Sequence, residues 1–300
     1  MDSPTATLIS ILQERVETLR AAGDLEEALH AANAAVERAQ LTLGPDLDSI
    51  DAFANALELR GDLHRQLGNF ELARDDYRQA IDQLEGRPDR VAQIGRLHAG
   101  LGAAYDSMGR EDKAGAQWLL AIDFFKLHEP PLMLDVAAMD NNLGFLHKAA
   151  GNLEMAETHF LRALEILHSQ VGTDHEQTAT VASNLGALYQ VAGFAEQSRQ
   201  MHEIALDTRR KLLGEEHPDT AQSHNNLALA LLSTGDRAWA RRHFERALAD
   251  FEALGPEYHG DLEAVAANYC DFLRDEGERQ LAELIASRVK EATEGAAACG

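Results

Sequence analysis

Apolar residues in this chain recur three or four positions apart, the spacing of one helix face, and no sustained alternation at two occurs. The first helical segment carries Leu8, Ile9, Leu12, Val16 and Leu19 on one face, and the last carries Leu281, Leu284, Ile285 and Val289. Between them the apolar stripes come in pairs, each pair broken by a glycine. The pattern predicts helix throughout and no strands.

The glycines keep a register. Gly23, Gly68, Gly109, Gly151, Gly193, Gly235 and Gly277 are spaced by 45, 41, 42, 42, 42 and 42 residues. Five positions after each stands a small residue: Ala28, Ala73, Ala114, Ala156, Ser198, Ala240 or Ala282. Twelve after stands Ala35, Ala80, Ala121, Ala163, Ala205, Ala247 or Val289. A large residue often stands nine after: Tyr77, Trp118, Phe160, His202 or Phe244. Seven repeats of one supersecondary unit explain this register.

Each mark has a physical reason. The glycine ends a first helix, where a left-handed backbone is open to Gly at little cost. The small residues let two helices approach closely, and larger ones there would overpack. The large residue fills the gap between hairpins. Asn69, Asn152 and Asp236 are placed to cap second helices. One unit reads as a first helix over Gln177–Ala192 and a second over Ala195–Leu213. Gly214 then stops the helix, and Pro218 opens the next one, where its missing amide hydrogen does no harm. Pro130-Pro131 is read as a local loop. The units fall at 5–45, 50–87, 91–129, 133–171, 175–213, 217–255 and 259–293, one solenoid over 5–293 with a disordered tail at 294–300.

These residues resemble the tetratricopeptide repeat (TPR). The segment Asn184-Leu185-Gly186-Ala187-Leu188-Tyr189, followed by Gly193, Ser198 and Ala205, follows that family's helix-pair pattern. The 42-residue period, Asn225-Asn226-Leu227-Ala228 and the run Leu213 to Thr220 look like kinesin-light-chain-type repeats. The resemblance implies an all-α, right-handed α-solenoid superhelix of about seven TPR helix–turn–helix repeats. It also implies that first helices line a concave groove that binds peptide segments of partner proteins.

Charge narrows the partner. The chain carries 27 Lys and Arg against 50 Asp and Glu, a formal charge of −23 spread along its length. Nucleic acid and anionic membrane surfaces both require clustered Lys and Arg, and are not expected. The 45% hydrophobic composition is that of a folded protein. No signal-peptide pattern or membrane-length apolar run occurs, so a cytoplasmic location is expected. Two cysteines make neither a disulfide framework nor a four-sulfur zinc site. Cys270 is read as a buried packing residue and Cys299 as part of the tail.

If first helices line the groove, its chemistry can be read. Nine positions before the glycine stand Asn142, Asn184, Asn226 and Asn268, with Asn141 and Asn225 beside two of them. Carboxamides both donate and accept, so this ladder could bind the backbone of an extended peptide. The competing reading is that the asparagines bond neighbouring helices. Lys148 and Gln190 complete the candidate set. Glu58 and Asp62 make the second unit acidic, while Arg65, Arg96, Lys148 and Arg274 are scattered bases. Some TPR domains clamp a C-terminal carboxylate with a basic residue ten positions before the glycine. Here that position holds Gln13, Glu58, Ala99, Asn141, Ser183, Asn225 and Ala267, so such a ligand is not expected. The partner expected is a neutral or mildly basic peptide.

Catalytic and metal signatures are missing. Thirteen histidines raise the question of a metal, but His175 and His217 recur with the repeat, and His30, His64, His98, His224 and His243 form no ligand motif. Glycine-rich phosphate loops and a nucleophile elbow do not occur. The clusters Arg209-Arg210-Lys211 and Arg241-Arg242 with Arg246 are read as solvated faces. No enzyme activity, cofactor or metal is expected. The leading reading is a protein-binding adaptor, monomeric because both terminal helices look capped. The alternatives are a self-associating scaffold and a peptide-responsive regulatory sensor.

Overall fold

The computed structural model describes residues 3–297. Fourteen α-helices, joined by short connections and two 3-10 turns at Pro88–Arg90 and Pro256–Tyr258, account for the described residues, with no strand among them. The helices pair as expected: α1 Ser3–Ala21 with α2 Leu25–Leu41, α3 Leu47–Gln66 with α4 Phe70–Leu84, and α5 Val91–Ser107 with α6 Glu111–Leu127. Then come α7 Met133–Ala149 and α8 Leu153–Gln170, α9 Glu176–Ala192 and α10 Ala195–Leu213, α11 Pro218–Thr234 and α12 Arg237–Leu254, and α13 His259–Asp275 and α14 Arg279–Ala297. α14 runs past residue 293, so residues 294–297 of the expected tail are helical. Residues 298–300, with Cys299, lie outside the described residues. The chain divides into two compact halves, Met1–Leu146 and His147–Gly300.

The register has the physical basis the sequence suggests. All seven glycines of the repeat adopt φ between 67° and 85°, a backbone in which only glycine is unstrained. All the small residues five and twelve positions on are buried. In three units the large residue nine positions on meets a glycine of a first helix. The Tyr77 ring lies against Gly61 of its own pair and Gly100 of the next, and its hydroxyl donates to Asp62 at 2.6 Å. Trp118 lies against Gly102, and its indole N–H donates to the Ala99 carbonyl at 3.3 Å. His202 takes the same place against Gly186.

Caps divide by chemistry. Asp236 caps α12 by accepting from the Trp239 amide, and Asp46 caps α3 through the Ser49 amide at 2.9 Å. Asn69 and Asn152 occupy N-cap positions but make no side-chain cap bond, contrary to the expectation above. Their backbones have ψ of 61° and 68°, close to the 67° of Asp236, so backbone angle does not separate them from the aspartate that caps. The recurring His175 and His217 do cap: each Nδ1 accepts a backbone amide two residues on at 3.2 Å.

Gly260 offers a test of helix propensity. It lies exposed in the first turn of α13, and a Cβ there would meet nothing within 4 Å. Gly260→Ala should raise stability by about 0.5–1 kcal/mol, read as an upward shift of the urea midpoint.

Candidate functional site

Within each half, first helices touch one another. In the N-terminal half α1 contacts α3 and α3 contacts α5, and in the C-terminal half α9 contacts α11 and α11 contacts α13. Second helices pack on their own first helix and on the first helix of the next pair, as α2 does on α1 and α3, α4 on α3 and α5, α10 on α9 and α11, and α12 on α11 and α13. A continuous face of first helices therefore exists in each half, and side chains on it share one surface.

In the C-terminal half that surface is rich in carboxamides. The Asn268 amide donates to Asn225 Oδ1 at 3.1 Å, joining α13 to α11. Asn226 donates to the Ser183 hydroxyl at 3.5 Å, joining α11 to α9, and accepts from Gln222 at 3.0 Å. Asn225 is buried, whereas Asn184, Asn226 and Asn268 are half-buried. These bonds hold neighbouring first helices in register. A carboxamide has two donor hydrogens and an acceptor oxygen, so one bond does not exhaust it. Gln190 is half-buried near the end of α9. Asn141, Asn142 and Lys148 lie on α7, the first two in the N-terminal half and Lys148 in the C-terminal half, all half-buried.

The N-terminal half presents different chemistry. A cleft of about 750 Å³ lies over α1, α3 and α5, lined by Gln13, Glu14, Glu17, Glu58, Asp62 and Arg96 among others. Part of its negative charge is already balanced. Arg96 pairs with Glu58 at 3.0 Å, and Gln93 donates to the same carboxylate at 2.8 Å. Arg20 lies 3.5 Å from Glu17 and 3.9 Å from Asp62. Glu17, Glu58 and Asp62 are therefore held in bonded pairs on this face.

Several polar side chains were misread from sequence. Arg209 is buried: it reaches Glu176 at 3.1 Å, the Thr180 hydroxyl at 3.2 Å and the Ser223 hydroxyl at 3.0 Å, tying α9, α10 and α11 together. It belongs to no solvated face. The other bases of those clusters are surface pairs, such as Arg246 with Asp250 at 2.8 Å, Lys211 with Asp207 at 2.8 Å, and Arg241 with Glu278. His224 and His243, unremarkable in sequence, meet with Nδ1 atoms 2.7 Å apart, one ring donating and the other accepting. Burial, with the neighbouring His243 and then Arg210 and Arg246, pushes His224 down to about 3, so both rings are neutral at pH 7. The signal was available. Residue 224 stands eleven before its glycine and residue 243 eight after, positions that face each other across each hairpin, as His98 faces Gln117 at 2.8 Å.

Among the described residues no group of three or more His, Cys, Asp or Glu is placed to hold a metal ion, and no helix is long and apolar enough to cross a membrane. Cys270 is buried, and its thiol donates to the Ala282 carbonyl at 3.3 Å.

Known proteins place this arrangement. A family model described as tetratricopeptide repeat matches residues 135–193 and 177–253, and another of the same description matches 54–83. No curated protein matches the chain. Among solved structures, BtubC (BKLC) from P. vanneervenii is 30% identical, with a TM-score of 0.66 over 77% of this chain and 92% of that one. The apo form of RapI is 14% identical, with a TM-score of 0.70 over 95% of this chain and 97% of its own. PilF from Pseudomonas aeruginosa is 18% identical, with a TM-score of 0.57 over 81% and 92%. The last two share the fold. The repeat matches, together with the identity and coverage of the first, show that this chain belongs to the tetratricopeptide repeat family.

Proposed function

We propose that this chain is a protein-binding adaptor whose first-helix faces hold a peptide segment of a partner. The observation that supports this most is the run of polar side chains across α9, α11 and α13, in which half-buried Asn226 donates to the Ser183 hydroxyl and half-buried Asn268 to the buried Asn225. Fixed by their neighbours, Asn226 and Asn268 lose little rotamer freedom on binding, which favours affinity. Their remaining donor and acceptor capacity matches the backbone of an extended peptide and makes little demand on its side chains. Asn184, Lys148 and Gln190 belong to the same proposed surface, and Asn141 and Asn142 to a proposed first-helix face of the N-terminal half. The partner is neutral or mildly basic, because a formal charge of −23 disfavours an acidic one.

The test is affinity capture from native lysate with the wild type and an Asn184→Ala, Asn226→Ala double variant. Removing Asn226 breaks a long bond at 3.5 Å and one local bond, so the fold should survive, as circular dichroism would check. We expect a partner retained by the wild type and lost with the double variant. Equal capture by both would exclude the carboxamide face. If no partner is captured and the chain associates with itself in sedimentation, the self-associating scaffold replaces this reading.

A further inference from the structure

A second surface lies away from the first-helix faces, where α4 and α6 flank α5. A cleft of about 610 Å³ opens there, lined by Ile81, Pro88, Val91, Ile94, Leu120 and Phe124. A further pocket of about 490 Å³ shares Ile81, Asp82 and His98 with it and continues to Leu101 and Tyr105. From Val91 to Tyr105 the floor on α5 is roughly 20 Å long, at about 1.5 Å per residue. His98 sits in this floor with its ring stacked on Phe124, and Gln117 bonds its Nδ1 at 2.8 Å. The same helix α6 leaves Leu119, Leu120 and Leu127 at 51%, 40% and 65% exposure.

The repeat shows what this place looks like when it is closed. Between α10 and α12, Leu206 stands where Ile81 stands, and His224 where His98 stands. There the cleft positions are ionic: Arg210 replaces Glu85, Arg246 replaces Leu120 and Asp250 replaces Phe124. Glu215 bonds Arg210 at 2.8 Å and lies 3.9 Å from Arg246, which pairs with Asp250 at 2.8 Å, so an ion chain covers His224. The wall differs too. α10 has 19 residues and α4 has 15, so about one helical turn is missing beside the α4 cleft. At one register, then, the protein builds a closed polar lid in one repeat and an open apolar trough in another.

We propose that this trough docks a partner segment that inserts apolar side chains and carries lysine or arginine beside them. Exposed apolar surface clustered around a cleft is the mark of an interaction site, and a helix-floored groove suits an amphipathic segment. At the end between Ile81 and Phe124 the rim sets the sign of the flanking charge, while Arg78, Asp112 and Lys113 line the end near Tyr105. Asp82 and Glu85 have no ion-pair partner among the described residues, whereas Arg87 is held by Asp51 at 3.2 Å and Asp89 at 2.8 Å. A second copy of this chain, also at −23, and an acidic segment are both disfavoured by the same field. This docking does not depend on the carboxamide face.

The test selects random 12-residue phage-displayed peptides on the immobilised full chain. It then measures the enriched pool on Leu120→Arg and on the triple variant Glu85→Arg, Leu120→Arg, Phe124→Asp, which installs the ionic residues of the α10–α12 site. Residue 120 is exposed, so the single variant should fold, and circular dichroism checks both. The expected pool is rich in Leu, Ile or Phe with Lys or Arg. It should bind both variants roughly tenfold or more weakly, the scale of a lost interface anchor, and bind the Asn184→Ala, Asn226→Ala variant as it binds wild type. A pool that ignores both cleft variants, or one in which acidic residues flank the apolar ones, would overturn the proposal. So would a dimer in sedimentation that Leu120→Arg dissociates, because the occupant would then be a second copy.

Discussion

Replacing Gly102 by valine should destabilise the N-terminal half by about 3 kcal/mol or more, at the upper end of overpacking costs. A Cβ at this position would lie 2.5 Å from the Trp118 indole nitrogen and 2.6 Å from its neighbouring ring carbon. Trp118 cannot yield easily. It is buried, and its N–H is held by the Ala99 carbonyl. Helix propensity works in the opposite direction, since any residue other than proline improves on glycine by up to about 1 kcal/mol. Two further methyl groups against an immobile ring outweigh that gain. Gly102→Ala should fall between the two effects and still destabilise. Urea unfolding followed by tryptophan fluorescence and circular dichroism measures both variants, and Gly260→Ala, with open space at its Cβ, is the control that should move the other way.

Acid should weaken the C-terminal half, and His202→Phe should remove much of that weakness. His202 is buried against Gly186, and neither ring nitrogen has a hydrogen-bond partner. Burial, then the charges of Arg209 and Lys148, pushes its pKa down to about 4 from the ordinary 6.5. The unfolded chain binds a proton at pH 6.5 and the folded chain only near pH 4. The stability tied to the neutral ring is therefore complete above pH 6.5 and is lost as pH falls from 6.5 towards 4. The loss amounts to about 2 kcal/mol at pH 5 and about 3 kcal/mol at pH 4. Phenylalanine, which the chain itself uses at this register in Phe160 and Phe244, has no proton to bind and no nitrogen to leave unsatisfied. His202→Phe should raise stability at pH 7 and narrow the difference between pH 7 and pH 5 by about 2 kcal/mol. A difference as large in the variant as in the wild type would assign the acid sensitivity elsewhere, with His224 and His243 the next candidates, because their pKa values are also depressed.

The fold was readable because its marks are local. A glycine at positive φ and a small residue at a fixed offset are needed in each repeat, and the cost of violating either falls on that repeat alone. That is why the helix pair expected over Gln177–Ala192 and Ala195–Leu213 differs from the observed one by a single residue. What escaped the sequence depends on which side chains meet. Arg209 looked like one of three surface bases until its carbon chain was seen to cross between α9 and α11 to Ser223. His224 and His243 lie 19 residues apart, and only the hairpin brings their rings together. Asn69 and Asn152 have the right identity for caps yet make no side-chain cap bond, although Asp236 caps at nearly the same backbone angles. The α4 cleft escaped for another reason. Nothing in Glu85, Leu120 or Phe124 marks them singly, and the difference shows only against Arg210, Arg246 and Asp250 at the same register.

Part of the carboxamide ladder makes bonds between first helices. Of the ladder expected from Asn142, Asn184, Asn226 and Asn268, with Asn141 and Asn225 beside two of them, Asn226 joins α11 to α9 and Asn268 joins α13 to Asn225 on α11. Those bonds are what either reading of the ladder requires: they brace the helices, and they hold the groups that a peptide would meet. Binding itself decides between a ladder that only braces and one that also binds.

Site-specific photo-crosslinking is the most direct test of binding at the first-helix face. A benzoylphenylalanine at position 187, half-buried on α9 where Ala187 stands, samples that face, and one at position 204, exposed on α10 where Ile204 stands, samples a second helix. Irradiation in the native lysate should yield a crosslinked partner from position 187 and none from position 204. A partner trapped only at position 204 would contradict the account and move binding to the second helices.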